Sequence, residues 1–261
     1  MVAISEQEAD MTRLTGKVAL ITGAGQGVGQ GIAYALAAEG ARIAVVGRTA
    51  GKLDDTCAEI RRRGGEARPF VADVMVKEDI ERCVEQVAAH FGAINVLINN
   101  AQVVPLGRLL DVTDEAFMQG IDSGPLATMR MMRACYPHLR GDGAVVNCVS
   151  SAAVRWDASG YGHYAAVKEA IRSLTRAAAC EWGVDGIRVN AIAPHAMSPG
   201  MAGWVAARPE EAAEFFKTIP LRRVGDCEKD IGRAVAMIVS ADASYLTGAT
   251  IPLDGGQAYW G

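Results

Sequence analysis

The chain has 261 residues, half of them hydrophobic and 21% charged, with a formal net charge of −4. That length suits one large α/β domain with a sizeable core. No basic run offers a surface for nucleic acid, no apolar run reaches the length of a membrane span, and the N-terminal MVAISEQEADMTR lacks the order of a signal peptide. Residues 1–13 are polar and patternless and read as a disordered lead-in; 14–261 read as a single domain. KVALIT (17–22) is a short β-branched run, the pattern of a buried strand. A helical spacing follows over 28–39, then a strand at 42–46 (RIAVV), a charged helix at 51–63 and a strand at 67–72. Next come a helix over 77–91, the strand INVLI (94–98), a long helix over 114–139 and the strand AVVNCV (144–149). A helix covers 161–182, IRVNAIA (187–193) is a strand, 196–218 is irregular to helical, 227–240 is helical and ATIPL (249–253) is the last strand.

Fully apolar strands alternating with helices call for a parallel sheet covered on both faces. Right-handed crossovers then wind the sheet doubly, and ligands bind beyond the carboxyl ends of its strands. Cys57, Cys83, Cys135, Cys148, Cys180 and Cys227 are scattered with no C-x-x-C. They read as small core residues in a reducing, cytoplasmic setting, not as disulfides or metal ligands.

The first strand ends in TGAGQGVGQG, which does not fit G-x-G-x-x-G. It fits G-x-x-x-G-x-G through Gly23, Gly27 and Gly29, with Gln26 and Val28 between them. The physics is the same: side chains here would keep a pyrophosphate from the backbone N–H groups and the helix N-terminus. At the end of the second strand an acid would mark NAD and a base the 2′-phosphate of NADP. Here Gly47 stands at that place and Arg48 follows. NADP(H) is therefore preferred, with NAD(H) as the alternative.

TGAGQGVG, Asp73-Val74, NNAQ (99–102), Ser150-Ser151, YAAVK (164–168) and IRVNAIAP (187–194), in this order and spacing, resemble the short, single-domain branch of the short-chain dehydrogenase/reductase superfamily. The resemblance covers about residues 14–261. It implies a Rossmann-like, doubly wound, seven-stranded parallel sheet and hydride transfer between a nicotinamide cofactor and an alcohol or carbonyl. It also implies that Asp73 and Val74 hold the adenine, that Asn100 and Ala101 lie along the cofactor, and that Met197 sits near the nicotinamide. Homotetramers or homodimers are common in the family.

On a helix Tyr164 and Lys168 share one face. A free tyrosine, with a pKa of about 10, is a poor base near neutrality. An ammonium about 4 Å away, at an effective dielectric of about 20, stabilises a phenolate by about 4 kcal/mol. In the mechanism the resemblance implies, Tyr164 exchanges a proton with the substrate oxygen, while Lys168 favours the phenolate and holds the nicotinamide ribose. Ser151, thirteen residues before Tyr164, has the family's spacing for the serine that hydrogen-bonds the substrate oxygen; Ser150 is one residue off. Tyr161 has Ala165 four residues on, so it lacks the lysine. His163 reads as a buried neighbour or cleft wall and not as a catalyst.

Three departures from the family stand out. Gly124 occupies the place of the usual helix asparagine, which anchors a water that relays protons to the lysine. Gln102 replaces a glycine beside the nicotinamide, either reaching toward substrate or folding away. His195 replaces the glycine after Pro194, and Ser198 is the nearest polar residue to the carboxamide position. The substrate would be a small-molecule secondary alcohol or ketone, apolar or cyclic, walled by Trp156, by His163 and by Trp204 in a lid over 196–218. The alternative is a cofactor-binding sensor or scaffold with impaired turnover, resting on Gly124 and Gln102. The enoyl reductase branch spaces its tyrosine and lysine more widely than this chain does.

Overall fold

A computed structural model describes residues 12–155 and 160–260. The strands are β1 (Val18–Thr22), β2 (Arg42–Gly47), β3 (Ala67–Val71), β4 (Val96–Asn99), β5 (Gly143–Cys148), β6 (Ile187–Pro194) and β7 (Thr250–Leu253). They form one seven-stranded sheet in the order β3-β2-β1-β4-β5-β6-β7. Every pairing is parallel. The helices are α1 (Gly27–Ala38), α2 (Ala50–Arg62), α3 (Lys77–Phe91), α4 (Asp114–Ile121), α5 (Ala127–Leu139), α6 (Gly162–Trp182), α7 (Pro199–Ala207), α8 (Pro209–Thr218) and α9 (Arg233–Val239).

The pleat explains why the central strands lack polar alternation. Ala19 and Ile21 of β1 point into one core layer, with Ile32 and Leu36 of α1, Leu53 and Ile60 of α2 and Val235 of α9. Val18 and Leu20 point into the other, with Ile80 and Val84 of α3, Met131 and Cys135 of α5 and Ala178 of α6. Leu14, ahead of β1, is buried and donates its N–H to Glu39 O at 2.9 Å. Residues 1–11, most of the expected lead-in, lie outside the described residues.

The helix expected over 114–139 is interrupted. Asp122–Leu126 forms a π-turn, and Ala127 N–H reaches back to Asp122 O and Gly124 O. Pro125 causes this: it has no N–H for the ladder, and its ring crowds the preceding turn. The segment 196–218 resolves into α7 and α8, each opened by a proline in its first turn. Ser198 caps α7 by accepting from Met201 N–H at 3.3 Å. A second π-turn, Cys227–Gly232, leads into α9 and rests against α1.

Gly31 makes that contact possible, because a Cβ there would collide with the backbone of Cys227. Gly31→Ala is expected to destabilise the protein by about 1–3 kcal/mol, the usual effect of overpacking a closed contact. Urea unfolding measures it; an unchanged midpoint would show that the turn yields freely.

Candidate active site

A cleft of about 1100 Å³ opens at the carboxyl ends of the strands and runs from the glycine loop to Trp204. This is the end, and the change in strand order between β1 and β4 is the place, where ligands bind in doubly wound sheets. Gly23 and Gly27 take left-handed backbone, with φ of +66° and +59°. A Cβ on Gly29 would stand 2.5 Å from both Gly23 O and the Asn100 amide. So the loop is tight because nothing but glycine fits where strand turns into helix. Gln26, at the N-cap of α1, makes no side-chain cap, which leaves the first-turn N–H groups for an anion. Asn100 fastens the loop: its Nδ2 donates to Thr22 O at 3.0 Å and Gly23 O at 3.2 Å. Thr22 Oγ1 accepts from the N–H groups of Asn100 and Ala101, both at 3.0 Å.

Arg48 lies at the lip, 58% exposed, its Nη1 3.8 Å from Asp73 Oδ2. Val74 follows Asp73 on the same wall. Lys52 stands beside them and was not expected; its Nζ donates to Gln26 Oε1 at 2.5 Å. A signal for it existed. A cation in the first turn of a helix opposes the macrodipole, so Lys52 sits where a lysine is unfavourable without an anion to meet. Two cations and an unsatisfied helix N-terminus fit a phosphate-rich nucleotide.

Deeper in the cleft, α6 presents Tyr164 and Lys168 on one face. Lys168 is buried, and its Nζ donates to Cys148 O at 2.8 Å, leaving two N–H groups. That Nζ lies 5.5 Å from the centre of the Tyr164 ring. Tyr161 packs edge-on against Tyr164, with ring centres 5.9 Å apart. Both serines line the cleft. The Ser151 hydroxyl, however, donates to the buried carboxylate of Asp254 at 2.6 Å. Ser150, half-buried, accepts from Ala152 N–H at 3.2 Å, and its own proton has no acceptor among the described residues.

The other expected contacts divide. Trp204 lines the cleft and packs edge-on against Phe215, which in turn meets His195; both ring separations are 5.6 Å. Burial holds the His195 imidazole below its ordinary value, so the ring is neutral at pH 7. Gln102 also lines the cleft, but its amide folds against Gly124. His163 is fully buried and outside the cleft, with its ring nitrogens 3.2 Å from Pro105 O and Phe117 O. Its expectation as a substrate wall is therefore corrected: Gly120 has no side chain, and the imidazole fills that space. Met197 has a partly exposed side chain and lies between Ala196 and Ser198, both of which line the cleft. Trp156 lies outside the described residues. Burial pushes the Cys83 and Cys148 thiols up to about 12, so neither is a nucleophile. Among the described residues no His/Cys/Asp/Glu group could hold a metal, and no helix is long and apolar enough to cross a membrane.

Fold and site together define a doubly wound α/β protein with a nucleotide cleft and a tyrosine–lysine pair at its floor. A family model described as enoyl-(acyl carrier protein) reductase matches residues 23–258. A relative named 12alpha-hydroxysteroid dehydrogenase, from Clostridium sp. (strain ATCC 29733 / VPI C48-50), is 41% identical over 93% of this chain and 96% of its own. A short chain dehydrogenase from Burkholderia cenocepacia J2315, solved in complex with NADP, superposes with a TM-score of 0.87 at 30% identity, covering 94% of this chain and 99% of its own. A blue fluorescent protein from a metagenomic library, solved with NADPH, gives 0.86 at 31% identity, covering 95% and 100%. The chain belongs to the short-chain dehydrogenase/reductase family of oxidoreductases.

Proposed function

We propose that the protein is an NADP(H)-preferring oxidoreductase that interconverts a secondary alcohol and a ketone on an apolar ring system, with a hydroxysteroid as the leading class. The observation that carries this is the Tyr164–Lys168 pair, a half-buried phenol beside a buried ammonium on one helix face, lining the glycine-lipped cleft. When bound, the nicotinamide supplies the hydride exchange. Tyr164 gives its proton to the forming alkoxide, or takes one from the alcohol. Lys168 is fixed by Cys148 O and keeps two N–H groups for the ribose and the phenol. A serine hydroxyl donates to the substrate oxygen; Ser151 has the family's spacing, and Ser150 is the one whose proton has no acceptor among the described residues. Trp204 and Phe215 of the lid supply flat apolar surface for a ring system. We also propose assembly into dimers or tetramers in a reducing, cytoplasmic setting, supported by exposed Leu109, Leu110 and Met118 around α4.

Absorbance of reduced nicotinamide tests this, with NADP⁺ and NAD⁺ supplied separately alongside hydroxysteroids and cyclic or aromatic secondary alcohols. Turnover with NADP⁺ above NAD⁺ is expected. Arg48→Ala should cut the NADP⁺ to NAD⁺ preference about 10- to 100-fold, the loss of one charge-assisted contact to the 2′-phosphate. No turnover with any alcohol, or with the ketones in reverse, would overturn the proposal.

A further inference from the structure

The Gln102 side chain poses an unsolved problem for the folded protein. Its Nε2 and Oε1 are both buried, and neither has a hydrogen-bond partner in the protein. A carboxamide can make four hydrogen bonds, and leaving one buried without any is destabilising. The residue is not loosely placed. On its N-terminal side Ala101 N–H is held by Thr22 Oγ1 at 3.0 Å. On its C-terminal side Ser123 Oγ donates to Val103 O at 2.6 Å and accepts from Val103 N–H at 3.2 Å. The amide is thus aimed at one spot, and that spot is prepared for it. A Cβ on Gly124 would lie 2.5 Å from Gln102 Nε2. Glycine at 124 is therefore the condition for glutamine at 102.

The backbone around that spot is opened as well. In the π-turn, Ala127 N–H bonds to Asp122 O and Gly124 O and passes over the carbonyl of Ser123, while Pro125 has no N–H to offer. The unpartnered amide lies against this turn at Gly124, next to a cleft lined by Gln102, Ser123 and Lys168 together. Buried polar groups of this kind hold water, which needs two to four polar partners. The proposed chemistry needs a route at this point. A proton taken up by Tyr164 has to leave, and its neighbour Lys168 is buried with Nζ bonded to a backbone carbonyl.

We propose that Gln102 is a positioning residue whose carboxamide, seated over Gly124, holds the water that passes protons between Lys168 and solvent. The amide that other arrangements would carry on the helix at 124 is here delivered from the loop after β4. This rests on the oxidoreductase reading above, and it removes the ground for an impaired binding protein.

The test uses the full-length enzyme with NADP⁺ and its best alcohol. Gln102→Met keeps the bulk and loses the amide; Gln102→Glu keeps hydrogen-bonding oxygens in the same place. In Gln102→Met, kcat is expected to fall about 10- to 100-fold with KM little changed, as for loss of one member of a proton path. The solvent deuterium isotope effect on kcat should rise above that of the wild type, and Gln102→Glu should recover part of the rate. Gly124→Asn alone should be impaired by collision with Gln102. Gln102→Gly with Gly124→Asn should regain activity over Gly124→Asn, with the Val167 side chain giving way. NADPH fluorescence gives the cofactor Kd of each variant and shows that it is folded. If Gln102→Met keeps the wild-type kcat and isotope effect, the inference fails while the oxidoreductase reading stands. If the wild type turns over nothing, that reading fails and this inference falls with it.

Discussion

Tyr164→Phe is expected to lower kcat about 10²- to 10⁴-fold, the range for loss of a general acid–base group. The substitution removes one oxygen and little else. A phenyl ring keeps the edge contact with Tyr161 and the ammonium of Lys168 over its face. No hydrogen bond of the Tyr164 hydroxyl holds the fold together among the described residues, so thermal stability should not move. Cofactor affinity should hold as well, because Lys168 stays fixed on Cys148 O. Tyr161→Phe is the control. That ring lines the same cleft and carries the same hydroxyl, but the residue four positions on is Ala165, so no lysine faces it. Near-wild-type turnover in Tyr161→Phe beside a collapse in Tyr164→Phe separates proton transfer from wall-building. Activity retained in Tyr164→Phe would remove the tyrosine from the mechanism and leave the cleft as a binding site.

How much of this was legible in the sequence depended on how local the signal was. β1, β2, β5 and β6 are β-branched runs ended by turn residues, and such runs declare themselves as strands. The glycine loop was legible because the requirement for glycine is steric and falls within one turn of chain. Tyr164 and Lys168 were legible because helical periodicity alone puts them on one face. His163 was not: its burial depends on the missing side chain at Gly120, a contact across elements that no period encodes. Gln102 and Gly124 were each visible as departures, yet only the fold shows that one fills the space of the other. The break before α5 was readable in principle from Pro125.

The two serines should part cleanly under substitution. Counting back thirteen residues from Tyr164 selects Ser151, but that count runs through a loop whose length no periodicity fixes. Counting forward from β5 is firmer, because Asn147 is locked in the sheet by Asn99 Nδ2 at 2.8 Å and by Thr175 Oγ1 at 2.9 Å. Of the two cleft serines, Ser150 is the one whose proton has no acceptor among the described residues. Ser151 already donates to Asp254, whose carboxylate is 4% exposed and also accepts from Gly256 and Ala258 N–H groups at 3.0 and 3.2 Å. Removing Ser151 therefore takes a donor from a buried carboxylate, which destabilises the protein by about 1–3 kcal/mol. Removing Ser150 takes a donor from the developing oxyanion, which lowers kcat about 10²- to 10³-fold. Ser150→Ala is thus expected to lose turnover at unchanged melting temperature, and Ser151→Ala to melt earlier with kcat largely kept. The reverse result would mean that Ser151 leaves Asp254 when substrate binds and that the spacing to Tyr164 was the better guide.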